Sequence, residues 1–515
     1  MNIAFIPIDN RPVCYTLPEQ VCAINSSINL FMPERKYLGS LTKYADVDKI
    51  FEWLEKIPQV DAIVMCLDTV AYGGLISSRR CPDAFDEIKN RVENLKSILE
   101  KKNAKIYAFS SIMRISNNNV NEEEKEYWDK WGKKIFDYSY QTHKLGTESC
   151  ISNIIPSEIL DDYLATRKRN FEINKLYLEY QKQGLFDTLV FSKDDCAEYG
   201  FNVQEAQVLE KLGGFIKTGA DEIPLTLLAR AVVKFFDAKM QRCEDAKSFT
   251  EPVAQSRHCE CERSNSVNSK AVGRNYCLDD ETSLKISPIF LAPEYKGLIS
   301  NYEDVSIEKS VKGQLELAGC KVCEPDEADI LLYVNNFEDH QGEIVMKVPT
   351  KPFSKKWQRP EKPYMIADVR YANGADNEFV KQLFEVGLGD NFYGYSAWNT
   401  SANSLGSLIC GAVVKYYGFK LQRCQDDNSK TVDRDYYPDN KNENFLKLQT
   451  IRFLDDWAYQ ANVRQELNSP DEKLVKEKMK PYEKMVFGLL GVAYNISYKF
   501  TWNRLFEVEI CILSN

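Results

Sequence analysis

Four aspartates each close a short apolar run: Asp9 in AFIPID, Asp68 in AIVMCLD, Asp194 in TLVFSKDD and Asp368 in YMIAD. Such runs read as buried strands, and in α/β proteins the carboxyl ends of parallel strands face the ligand crevice. Acids delivered from several strands to one crevice suit general acid–base chemistry. At each position the alternative is that Asp caps the next helix or opens a turn. Asp194 and Asp195 are adjacent, so one can orient a substrate or stabilise positive charge while the other, with a raised pKa, donates a proton. They are the catalytic candidates, and a helix N-terminus is the alternative there. Asp221-Glu222 follows the next strand in GADE and opens a helix, where binding and capping fit equally.

Other polar groups share the pattern. Asn399-Thr400 closes a further strand, and Asn403 follows four residues on, on the same helical face. Trp398 can be a platform for a sugar or base face, or a core residue. Arg167 and Asn174 interrupt the apolar stripe Leu160, Leu164, Phe171, Leu178 and need inward partners. Arg452, Asp456, Gln460 and Arg464 fall at i, i+4 spacing and read as a solvated salt-bridge ladder. Tyr72 precedes Gly73-Gly74, a tight turn with neither a Walker nor a dinucleotide pattern, and Arg79 and Arg80 beyond it suit a carboxylate or phosphate.

Composition narrows the chemistry. The chain has 515 residues but three histidines, His143, His258 and His340. That excludes a His-rich metal site and argues against a Ser-His-Asp triad. The net charge of −10 argues against nucleic acid or an anionic membrane as the main partner. No cofactor is expected and no metal ligands are assigned. Cys320-x-x-Cys323 lacks a second pair, and His258, Cys259, Cys261 and Cys277 match no familiar zinc spacing. The 15 cysteines read as reduced thiols. With no signal peptide and no run of 18 apolar residues, the expectation is a cytoplasmic protein with no membrane partner.

These residues need strands alternating with helices. Strands are expected over 3–8, 28–32, 62–67, 105–110, 187–192 and 214–218, with helices including 47–56, 83–101 and 157–183 between them. Six such units fit a TIM-barrel-like or a doubly wound domain, over 1–239. Residues 240–285 have few large apolar residues and read as a disordered insertion. A second, flavodoxin-like α/β domain is expected over 286–430, with strands at 288–292, 330–334, 364–368 and 392–396. A helical C-terminal region over 431–515 ends in a strand.

Across most of its length the chain resembles an uncharacterised bacterial family of about 500 residues, a domain of unknown function. The resemblance lies in IPIDNRP at 6–12, LDTVAYGGLISSR at 67–79, FSSIMRIS at 109–116, RKRNFEIN at 167–174, FSKDDCAEYG at 191–200, GADE at 219–222, ADVRYANGAD at 367–376, AWNTSANSLG at 397–406 and DDWAYQANVR at 455–464. It implies no chemistry by itself, but its stretches add Arg11, Arg114, Asn373 and Asp376 to the substrate-binding candidates Asp9, Asp68, Tyr72, Arg167, Asn174, Asp221, Glu222, Asp368, Trp398, Asn399 and Asn403. FSKDD is also similar to the strand-end Asp pair of barrel β-N-acetylglucosaminidases. That similarity implies that Asp194 polarises the substrate's acetamido group and Asp195 protonates.

The leading expectation is a carboxylate-based, glycosidase-like hydrolase acting on a sugar-containing small molecule. The alternatives are a Mg²⁺- or Mn²⁺-dependent hydrolase or phosphoryl-transfer enzyme using the Asp cluster, and a non-catalytic small-molecule binding protein.

Overall fold

A computed structural model describes residues 1–194, 196–248, 283–426 and 442–513. β1 (Asn2–Ile6), β2 (Asn29–Phe31), β3 (Ala62–Cys66), β4 (Lys105–Ile112), β5 (Thr188–Lys193) and β6 (Phe215–Thr218) form one sheet in the order β2-β1-β3-β4-β5-β6, every pair parallel. The chain continues through β7 (Lys285–Phe290), β8 (Lys321–Val322), β9 (Ile330–Asn335), β10 (Gly342–Glu343), β11 (Tyr364–Asp368), β12 (Tyr371–Ala372) and β13 (Phe392–Ser396). Five of these make a second parallel sheet, in the order β13-β11-β9-β7-β8, while β10 pairs with β12 alone. The two larger sheets repeat one plan: the second strand lies outside the first, and later strands add on the other side. The order thus reverses between first and third strands, which is where α/β sheets open a ligand crevice.

The barrel alternative needs a closed sheet. Here β2 and β6 are the two edges, with no ladder joining them among the described residues. The strands are buried throughout because a parallel sheet is covered on both faces; in β3 every residue of AIVMC is buried. The side-chain period of two then splits the core. Ile3, Phe5, Val64 and Cys66 point to one face, and Ala4, Ile6, Ile63 and Met65 to the other. The first face meets helix Ile223–Ser248, which packs on β3 and β4 and against helix Ser401–Asp426. The latter packs in turn on β11 and β13, so two long helices link the sheets. The apolar core runs continuously through them.

The first of these helices extends to Ser248, so residues 240–248 belong to a helix rather than to an insertion. The rest of the expected insertion, with His258, Cys259, Cys261 and Cys277, lies mostly outside the described residues, as does most of the polar stretch 426–444. The C-terminal region is helical before it ends in a strand. Helix Glu443–Arg452 runs into a π-helix, Phe453–Asn462, and helix Glu472–Leu490 follows after a break. The terminal strand is one arm of an antiparallel hairpin of β14 (Asn495–Lys499) and β15 (Glu509–Leu513). No described helix is long and apolar enough to cross a membrane. Six of the described cysteines, including Cys66 and Cys320, are buried free thiols.

Candidate active site

The segments after β1, β4, β5 and β6 meet those after β7, β12 and β13 around a cavity of about 260 Å³. Arg11, Arg114, Asp194, Asp221, Asn373 and Asn399 line it, all named from sequence, and Glu123, Ser116, Asn118, Thr400, Tyr302, Leu75, Ile76 and Phe506 complete the wall. Asp195 lies outside the described residues.

Local chemistry places each group. After β1 the chain turns so that Asp9 accepts from the backbone N–H of Arg11 at 2.9 Å and from its Nε at 2.9 and 3.0 Å. The same guanidinium binds Asp221 with both terminal nitrogens, at 2.5 and 3.0 Å. Arg11 is buried, which opposes its charge, yet Asp221 and Asp9 raise its pKa well above the ordinary value. Its carbon Cζ stands 5.1 Å from the centre of the Trp502 ring. Asp221 reaches this partner because Gly219 takes φ +106°, a left-handed turn that favours glycine. Asn403 then fixes the turn: its Oδ1 accepts from the Ala220 N–H at 3.1 Å and stands as close to where a side chain at 219 would begin. Asn399 closes the corner, donating to Asp221 at 3.5 Å.

The opposite wall is a second ion-pair array. Arg114 donates to Glu123 at 2.8 Å and to Glu124 at 3.1 Å, and its Nη1 stands 3.7 Å from Asp194. Arg504, from the loop between β14 and β15, donates to Glu123 at 2.7 Å and to Glu507 at 2.5 and 2.8 Å. Arg79 lies buried behind, 3.4 Å from Glu124 and 3.6 Å from Glu123. It is put there by Gly73, whose φ of +89° ends one helix and lets the next, Leu75–Arg80, begin at the cavity wall. Burial alone would raise the pKa of Glu123, but Arg114, Arg79, Arg504 and Arg11 hold it well below the usual carboxylate range. Arg80, read from sequence as an anion binder, instead donates to the backbone carbonyls of Leu41, Asn121, Glu122 and Glu124.

The remaining candidates lie off the cavity wall. Asp68 is buried at the end of β3, accepts from the Ser111 N–H at 2.8 Å, and is pushed up to about 6 by burial. Glu222 turns inward, accepts from the Ser407 N–H at 3.0 Å, and is pushed up to about 8 by burial. Tyr72 and Trp398 are core residues, 3% and 2% exposed, so neither offers a ring face to the cavity. Arg167 pairs with Glu205 at 2.8 Å, and Asn174 bridges Ser110 and Ser111 on β4. Asp368 accepts from Asn335, Tyr395 and the Asp376 N–H, while Asp376 caps helix Asn377–Val386. The expected solvated ladder is mostly interior: Arg452, Asp456 and Gln460 are buried, because Asp456 accepts from the Ala397 N–H at 2.6 Å and from Arg452 at 2.8 Å.

Sequence reasoning passed over Glu123, which sits in the acidic run NEEEKE and reads as a solvated loop. The signal available was its complement, since the buried Arg79 and the half-buried Arg114 require acids. Arg504 and Phe506 come from a hairpin nearly 400 residues beyond Glu123, and no local pattern announces such a contact. Among the described residues no group of three or more His, Cys, Asp or Glu is arranged to hold a metal ion.

Comparison with curated proteins and with solved structures finds no match. A family model does match, over residues 3–511, which takes in every group that lines the cavity. The chain therefore belongs to the family described as protein of unknown function (DUF4127).

Proposed function

We propose that this chain is a carboxylate-based hydrolase of a small, hydroxyl-rich molecule, with carbohydrate derivatives the best-fitting class. The observation that carries the reading is the convergence of Asp194, Asp221 and Glu123 with Asn373, Asn399 and Thr400 on one cavity. Carboxylates and side-chain amides are the groups that bind sugar hydroxyls and move protons. At about 260 Å³ the cavity is below the roughly 300–1,000 Å³ of drug-sized sites, which suits one ring rather than a polymer. The strand order of both sheets supports a doubly wound, flavodoxin-like reading of each, with the cavity at the strand ends.

Roles follow from the partners. Glu123 and Asp221 are each held by arginine at 3.0 Å or less, so they are fixed in place and serve to bind and orient. Asp194 stands 3.7 Å from Arg114, close enough to feel its charge. With the FSKDD similarity, Asp194 polarises the substrate while Asp195 protonates the leaving group. The test is hydrolysis of a broad aryl-glycoside panel by the full chain. Cleavage should fall by about 10²–10⁴-fold in Asp194→Asn and Asp195→Asn, the usual weight of a general acid or base, with folding intact by circular dichroism. A wild type that cleaves no member of the panel overturns the reading. The same convergence also suits a non-catalytic binding protein, and ligand binding without turnover would assign that instead.

A further inference from the structure

Residues 345–349, Val-Met-Lys-Val-Pro, project into solvent from a narrow turn after β10, and Met346 is 70% exposed. The turn is well anchored at its base. Glu343 and Val348 exchange two backbone hydrogen bonds at 2.9 Å, and Ile344 packs against the core. An anchored turn that exposes two valines and a methionine is an apolar surface held in a fixed place.

Two cavity residues fix where that surface lies. Asn373 donates to Glu343 at 2.8 Å, and the Tyr302 hydroxyl meets Met346 Sδ at 3.9 Å. Both line the cavity. Asn301, beside Tyr302, also binds Gln341 and Gly342 at the root of the turn. Tyr302 thus borders both the cavity, whose apolar groups are Leu75, Ile76 and Phe506, and Met346.

The geometry points to a second subsite at the cavity mouth, formed by Tyr302, Val345 and Met346, that takes an apolar aryl or alkyl substituent of the ligand. The polar cavity holds the hydroxyl-bearing part, and the adaptable methionine covers the apolar part. The proposal rests on reading the cavity as a small-molecule site, but not on turnover.

The experiment uses the full chain labelled with ¹³C at the methionine methyls, the Met346 signal being assigned with Met346→Leu. It is titrated with phenyl and with methyl glycosides of the same sugars. Phenyl compounds should bind about tenfold tighter, the ratio expected from burying one to two methylene equivalents, and should shift the Met346 methyl; methyl glycosides should not. Met346→Ser should remove most of the tenfold preference and leave methyl-glycoside affinity unchanged. Equal affinities with an unmoved Met346 signal overturn the subsite and leave the cavity reading intact. If neither series binds, the cavity reading falls and the subsite with it. A dimer in light scattering that Met346→Ser dissociates would assign the turn to self-association and overturn the proposal.

Discussion

At the end of β1, Asp9 meets an arginine that reaches on to Asp221 and to the cavity. At the end of β11, Asp368 meets an amide, a hydroxyl and a backbone N–H, all buried. Residue type, strand end and sheet plan are the same, yet the outcomes are opposite. Around the cavity, Asp9, Asp221 and Glu123 are held by guanidinium groups, and those of Arg114, Arg79 and Arg504 keep Glu123 below the usual carboxylate range. In the second sheet, burial and the neighbouring Asp376 push Asp368 up, and the buried Arg370 stands 3.5 Å from Asp376 and donates to Asn335 rather than to Asp368. A strand-end acid is presented to the cavity where a guanidinium holds it beside open space.

The comparison can be broken first at Arg11. Arg11→Met leaves Asp9 and Asp221 buried without their guanidinium, and removing one partner of such a pair costs about 3–5 kcal/mol. Urea denaturation followed by circular dichroism reads the loss. A cost under about 1 kcal/mol would mean that the arginine is not what holds these acids in place. Arg504→Gln should cost less, about 1.5–3 kcal/mol, the range for hydrogen bonds to charged groups, because Glu123 keeps Arg114. It should also bring Glu123 back toward the ordinary carboxylate range, which side-chain carboxyl NMR measures directly.

Much of the scaffold was legible because burial leaves a periodic trace. The spacing predicts strands at 364–368 and 392–396, as found, and places all six strands of the first sheet to within a few residues. Open sheet and barrel share that trace, since both are β/α alternations, and only the pairing of edges separates them. Strand-end position picks out Asp194 and Asp221, which line the cavity, together with Asp9, which sits behind Arg11, and Asp368, which lies off it, because a single sequence shows where an acid sits and not which neighbours it meets. Glu123, Arg504 and Phe506 were illegible for the complementary reason: their partners are remote in sequence, and their own surroundings look like polar loop. At Arg452, Asp456, Gln460 and Arg464 the i, i+4 contacts do form, Arg452 to Asp456 and Arg464 to Gln460 each at 2.8 Å, but the first three residues are buried rather than solvated, which spacing alone does not reveal.

Asp221 and Glu222 repeat the contrast within two residues. Asp221 faces Arg11, whereas Glu222 Oε1 has no hydrogen-bond partner among the described residues and burial pushes the group up to about 8. In the unfolded chain a glutamate titrates near 4.3. Between these values the folded state holds a proton that the unfolded state has released. Stability from this group is therefore complete below about pH 4.3 and is lost as pH rises through about 8. The slope should be at most about 1.4 kcal/mol per pH unit. Glu222→Gln should flatten it, as measured by denaturation at several pH values from 5 to 8; an unchanged slope would place the titrating group elsewhere.

The smallest expected effect tests the buried network around Asp368. Tyr395 stacks on Phe453 with ring centres 4.4 Å apart and donates to Asp368 at 3.0 Å. Tyr395→Phe keeps the stack and removes one hydrogen bond, for about 1 kcal/mol. Because that bond favours the charged carboxylate, its loss should cost more at alkaline pH than at neutral pH. Asp368 keeps Asn335 and the Asp376 N–H in the variant, so the second sheet should hold its shape and glycoside binding in the cavity should not change. A change in binding larger than twofold would show that the two acid sets communicate, and the division between a cavity-facing and a spent strand-end acid would have to be redrawn.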